Sequence, residues 1–207
     1  MRGKFIAFEG SDGSGKTTIL EGVKKFLEES NIDYIITREP GGTQIGEEIR
    51  NILLQHNEGH DMSDRTEALL FAAARSQSVE EVLKPALETK DLVISDRYIL
   101  SSLAYQGYAR DLGVEGVRNI NLFATDELMP DYTFFLDVDP IKVLERKKSK
   151  VKSDRLEMEP NEYHQKVYEG YKKIIETEEN TIIIDASKPV EEVLKNTIEE
   201  LKKILEV

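Results

Sequence analysis

Eight residues near the start of the chain, Gly10-Ser11-Asp12-Gly13-Ser14-Gly15-Lys16-Thr17, constrain its fold more than any other stretch. They follow the apolar run Lys4-Phe5-Ile6-Ala7-Phe8 and precede apolar residues at helical spacing, Ile19, Leu20, Val23, Phe26 and Leu27, so the string reads as strand, loop, helix. Glycines at 10, 13 and 15 let backbone N–H groups turn inward around a polyphosphate, and the following helix aims its positive end at the same charge. Lys16 is spaced to reach the β- and γ-phosphates, and Thr17 to hold Mg²⁺. The stretch from Gly10 through Thr17 to Thr18 is therefore the expected nucleoside-triphosphate-binding loop.

With 39% hydrophobic residues and no Pro/Ser/Gly-rich linker, the 207 residues are expected to form one domain, 1–207, around one core. A formal net charge of -12 argues against a nucleic-acid or anionic-membrane partner, since either needs a broad basic face. The absence of cysteine excludes disulfides, thiolate metal sites and a cysteine nucleophile, and it is compatible with the cytosol. Glu9 interrupts the short apolar stretch near the N-terminus, and no window approaches a membrane span, so a cytoplasmic protein is expected.

Apolar runs recur at Phe5–Phe8, Tyr34–Ile36, Leu92–Ile94, Tyr132–Val138 and Thr181–Ile184, separated by segments of helical periodicity. Five strands alternating with helices predict an α/β fold with a five-stranded parallel sheet. The last helix carries Val190, Val193, Leu194, Ile198, Leu201 and Leu205 on one stripe, which reads as core. Open parallel sheets bind ligands beyond the carboxyl ends of their strands, and Glu9, Arg38-Glu39-Pro40 and Asp96-Arg97 all fall there.

Asp96 stands where a strand-end carboxylate holds Mg²⁺ or its water shell; the alternative is a cap on the next helix. Arg97 beside it offers planar, bidentate donors to a second phosphoryl group facing the ATP. Joining two phosphates calls for converging cations, because each like-charged pair at about 4 Å and an effective dielectric of 20 costs roughly 4 kcal/mol. Lys16 and Arg97 are two of these. Arg146-Lys147-Lys148-Ser149-Lys150-Val151-Lys152 is either a mobile flap supplying more or a solvated helix end. Phe71 and Arg75, four apart, share a helix face, where Phe71 is either core or a platform for a base whose carbonyl Arg75 would read. His56 and His60 are also four apart, but Gly59 and the lack of a third ligand argue against a metal site. His164 has no triad partners in view.

Taken together, Phe8-Glu9-Gly10, Arg38-Glu39-Pro40-Gly41-Gly42-Thr43, Glu48-Ile49-Arg50, Phe71-x-x-x-Arg75, Asp96-Arg97-Tyr98, Ser101-Ser102-Leu103-Ala104-Tyr105-Gln106-Gly107 and Asp154-Arg155-Leu156-Glu157 resemble bacterial thymidylate kinases from residue 4 to about 200. The resemblance implies a P-loop NTPase fold with a mobile lid at about 146–156, usually a homodimer. It also implies transfer of the ATP γ-phosphoryl to dTMP with Mg²⁺, giving dTDP for dTTP biosynthesis. By resemblance Phe71 stacks on thymine, Arg75 and Ser102 read its polar edge, Gln106 covers it, and Tyr105 packs near C2′. Glu39, Pro40 and Ser101 would line the pocket. Arg50 and Arg97 would hold the dTMP phosphate, and Asp12 would engage the 3′-hydroxyl side or Mg²⁺. The catalytic set is Lys16, Asp12, Arg97, Arg146 and Arg155.

The family's eukaryotic type has an arginine in the P-loop. Position 13 here is Gly, so the extra cation is expected from the lid, where Arg146 and Arg155 match flanking arginines and Lys148 and Lys150 replace others. Two rivals fit less well. A GTP switch lacks its Asn-Lys-x-Asp motif, and a deoxynucleoside kinase has no use for Arg50 beside the Arg38-Glu39-Pro40-Gly41-Gly42 segment. The thymine methyl is worth about 1–3 kcal/mol, so dUMP is expected to be a slower substrate.

Overall fold

The computed structural model describes residues 2–55, 61–140 and 154–207. The predicted strands are present as β1 (Lys4–Glu9), β2 (Tyr34–Arg38), β3 (Leu92–Asp96), β4 (Tyr132–Asp137) and β5 (Thr181–Asp185), all parallel, in the order β2-β3-β1-β4-β5. From β1 the chain builds first to one side and then to the other, so the order reverses beside β1. That is where an open parallel sheet leaves a crevice at its carboxyl edge.

The helices are α1 (Lys16–Glu29), α2 (Gln44–Leu54), α3 (Asp64–Ser78), α4 (Lys84–Thr89), α5 (Ile99–Ser102), α6 (Val114–Thr125), α7 (Asn161–Ile175) and α8 (Val190–Leu205). Strand alternation divides the core between the two faces of the sheet. Phe5, Ala7, Val93 and Phe135 pack with α7 and the segment after α5, while Ile6, Phe8, Ile94, Phe134 and Leu136 pack with α1 and α8. In α1 the expected stripe is buried at Ile19, Leu20, Val23 and Leu27. The stripe of α8 departs from expectation. Val190 is exposed, and Thr197 is buried within it because its Oγ1 satisfies itself on Val193 O at 2.8 Å.

Two π-helical stretches follow directly on helices: Val79–Leu83 after α3 and Leu103–Ala109 after α5. The second carries Tyr105 and Gln106; such wide turns re-aim side chains and cluster at functional sites. Among the described residues no helix is long and apolar enough to cross a membrane. His56, His60, Arg146 and the cationic run through Lys152 lie outside the described residues, as does the expected lid up to residue 153.

Candidate active site

The P-loop takes its shape from glycine. Gly10, Gly13 and Gly15 have φ of 146°, 78° and 91°, which L-residues rarely adopt, and a Cβ on Gly10 would sit 2.9 Å from Leu136 O. Lys16 opens α1 and donates from Nζ to Gly10 O at 2.8 Å and to Ser11 O at 3.4 Å. Burial pulls its pKa down to about 8, helped by Arg97 and opposed by Asp96, Asp12 and Glu9. The Ser11 and Ser14 hydroxyls are buried without a protein partner, so the loop keeps donors to offer an oxyanion.

Just past the end of β3, Arg97 holds a left-handed backbone, φ 72°, an unfavourable state for a residue that carries a Cβ. Its N–H donates to Phe8 O at 2.9 Å, and its guanidinium donates to Gly10 O at 2.9 Å, Ser101 Oγ at 3.1 Å, Tyr171 OH at 3.3 Å and Asp12 Oδ1 at 2.5 Å. Tyr105 OH donates to the other Asp12 oxygen at 2.8 Å. Burial alone would raise the Asp12 pKa, but Arg97, Lys16 and the Tyr105 hydrogen bond hold it below the usual value. Both Asp12 oxygens are thus engaged by protein donors, and Arg97 is tied to the P-loop backbone itself.

Glu9 and Asp96, both strand-end carboxylates, take different places in the site. Glu9, fully buried, accepts from the N–H groups of Tyr98 and Ser101, from Ser101 Oγ and from Tyr171 OH, so it caps α5 from behind the cleft. With that cap already supplied, Asp96 does not serve as one. Its Oδ1 is buried with no hydrogen-bond partner, while the residue lines the cleft. A buried acceptor of this kind suits a cation, and Thr17 lines the same cleft. Among the described residues no group of three or more His, Cys, Asp or Glu is placed to hold a metal.

Every residue expected to contact dTMP lines one cleft of about 480 Å³: Glu39, Pro40, Arg50, Phe71, Arg75, Arg97, Ser101, Ser102, Tyr105 and Gln106. Asp12, Gly13, Gly15, Lys16, Thr17 and Thr18 line it too, so the P-loop and the residues expected to contact dTMP share one volume. Phe71 is half-buried in its wall and belongs to neither core cluster. Arg50 donates to Pro40 O at 2.8 Å.

Arg75 is 2% exposed and commits most of its guanidinium to protein: Nε to Glu39 Oε2 at 2.5 Å, Nη1 to Ser102 Oγ at 2.9 Å and to Asn121 Oδ1, and Nη2 to Tyr98 O at 3.0 Å. Of five N–H groups, one on Nη2 is left for anything else. Burial pushes the Glu39 carboxyl up, and Arg75 offsets this only in part.

Arg155 departs from the expected arrangement. Expected among the catalytic cations, it does not line the cleft; its Nε donates to Leu53 O at 2.8 Å and its Nη2 to Glu67 Oε2 at 2.6 Å. The buried carboxylate outcompetes the cleft for that guanidinium. Its neighbours Asp154, Leu156 and Glu157 do line the wall.

Sequence reasoning passed over Glu67, Asn121 and Tyr171. Glu67 falls four residues before Phe71 and eight before Arg75, a spacing that puts all three on one side of α3. Asn121 is a polar residue in the Val117–Thr125 stripe, and Tyr171 reads as ordinary core.

A family model for thymidylate kinase matches residues 8–197. The chain is 54% identical to the thymidylate kinase of Finegoldia magna, over 96% of this chain and 98% of the relative. It is 49% identical to that of Geobacillus sp. strain WCH70, over 96% and 95%, and 48% identical to that of Lactobacillus acidophilus, over 99% and 96%.

Proposed function

The chain belongs to the thymidylate kinase family, and from that premise we propose that its cleft transfers the γ-phosphoryl group of ATP to dTMP, giving dTDP and ADP. The observation that carries the reading is the bond from Arg97 to the P-loop carbonyl of Gly10 at 2.9 Å. It supports Arg97 as the guanidinium for the acceptor phosphate, beside the loop that would hold the donor. An oxygen of the dTMP phosphate attacks Pγ as the bond from Pγ to the β-bridging oxygen breaks, and ADP keeps the electrons of that bond.

Lys16 and the P-loop N–H groups hold the donor phosphates, while Arg97 and Arg50 hold the acceptor phosphate and offset its repulsion from ATP. Asp12 fixes the Arg97 fork from one side and lies toward the sugar 3′-hydroxyl. Phe71 stacks on thymine, the remaining Arg75 N–H and the Ser102 hydroxyl read its edge, Gln106 closes over it, and Tyr105 crowds C2′ against ribose. Asp96 and Thr17 would hold Mg²⁺, which when bound screens the phosphate charge. Arg155 acts from outside the cleft, through its bond to Glu67.

The chain acts as one catalytic unit, in the cytoplasm, and as a homodimer. Exposed apolar residues on adjacent helices support the dimer: Ile45 and Ile52 on α2, Leu69 on α3 and Phe123, 90% exposed, on α6. The test is a coupled ADP-release assay with ATP and, in parallel, dTMP, dUMP, dCMP, AMP and thymidine. Strong turnover with dTMP, weaker with dUMP and none with thymidine is expected; turnover of thymidine alone would make the protein a nucleoside kinase instead.

A further inference from the structure

Glu67 is 1% exposed, pairs with two arginines, and does not line the cleft. Three side chains converge on it, two from the stretch after α5 and one from the stretch before α7. Gln106 Nε2 donates to Oε1 at 2.8 Å, while Arg110 and Arg155 donate to Oε2 at 3.2 and 2.6 Å. Arg110 is itself held by Glu159 at 2.5 Å and by the Tyr163 ring at 4.4 Å. The carboxylate is therefore fixed in place by two guanidiniums that have little freedom to leave.

Resting on the dTMP reading above, we propose that Glu67 is a positioning residue that sets which end of the Gln106 carboxamide faces the acceptor base, and thereby sets the preference for thymine or uracil over cytosine. A carboxylate only accepts hydrogen bonds, so Gln106 must present its NH₂ to Glu67. The amide oxygen is then the end turned away, toward the cleft that Gln106 lines. Thymine and uracil carry a hydrogen on N3 and satisfy that oxygen. Cytosine has a bare N3 acceptor, which would set lone pair against lone pair in a desolvated site. A neutral glutamine at 67 accepts or donates equally well, so the Gln106 amide becomes free to turn over.

The test measures kcat/KM for dTMP, with dUMP and dCMP as competitors of dTMP turnover so that a poor substrate still reports, in the natural chain and in Glu67→Gln. The expected result is a fall of roughly tenfold or more in the preference for dTMP over dCMP. The preference for dTMP over dUMP, set by the methyl group and not by the amide, stays within about twofold. A merely structural Glu67 would weaken all three together, and that result, or no change in the dCMP ratio, overturns the proposal. If Glu67→Gln leaves too much unpaired cation to fold, Glu67→Gln with Arg110→Gln removes the surplus charge and is read by the same ratios. Failure of the natural chain to use dTMP would defeat the functional reading instead.

Discussion

Binding of Mg·ATP should carry a proton into the protein above pH 8, and Lys16 is the group that takes it. Burial lowers its pKa from 10.5 to about 8, which corresponds to a cost of about 3 kcal/mol for keeping the charge at neutral pH. Above pH 8 the free protein's Lys16 is mostly neutral, whereas triphosphate oxygens against Nζ favour the ammonium. The sign is therefore uptake. With a free-state value of about 8, the neutral fraction is roughly three-quarters at pH 8.5 and about a tenth at pH 7.0, and these are the proton counts expected per ATP bound. The corresponding loss of affinity from pH 7 to pH 9 is about tenfold. Isothermal titration calorimetry without acceptor, in two buffers of different ionisation enthalpy at each pH, gives the count from the change in observed heat. Zero uptake at pH 8.5, or the same count at both pH values, would refute a buried, charge-stressed Lys16 at the phosphate site.

Phe71→Ala should raise KM for dTMP by about tenfold or more through lost base stacking of about 1–3 kcal/mol, with KM for ATP unchanged; equal effects on both substrates in steady-state kinetics would place Phe71 elsewhere. Arg75→Met strands the Glu39 carboxylate, 4% exposed, without its cation and should cost about 3–5 kcal/mol of stability, read as a lower midpoint in thermal or urea unfolding. Asp96→Asn should raise the Mg²⁺ concentration needed for half-maximal rate and lower kcat by roughly 10²-fold while the fold persists; an unchanged Mg²⁺ dependence would remove it from the metal site. Phe123→Glu should shift sedimentation from dimer toward monomer.

The frame of this molecule was legible because its signals are local. The run Phe5–Phe8, the Gly10–Thr17 string and the Ile19–Leu27 periodicity each state their conformation within a few residues, and parallel pairing follows from strands alternating with helices. Strand ends named the cleft, since Arg97 and Asp96 close β3 as Glu9 closes β1. What stayed hidden depends on three-dimensional competition. Glu9 and Asp96 are both strand-end carboxylates, and only the α5 backbone, which turns its N–H groups to Glu9, decides which of them caps and which is left for a cation. Arg155 matches a catalytic arginine in sequence, yet a buried carboxylate on α3 claims it. Asn121, deep in a helix stripe, became informative only once Arg75 was seen to bond it. Long-range ion pairing leaves no trace in spacing along the chain.

The central claim is that a phosphate of dTMP, and not a sugar hydroxyl, receives the γ-phosphoryl group. Following ³¹P resonances during a reaction with ATP and dTMP tests it most directly. The account predicts that the dTMP monophosphate signal is replaced by the coupled α and β doublets of dTDP, mole for mole with ADP, and that thymidine gives no new phosphate ester. ADP accumulating with inorganic phosphate and no dTDP, or thymidine converted to its monophosphate, would contradict it.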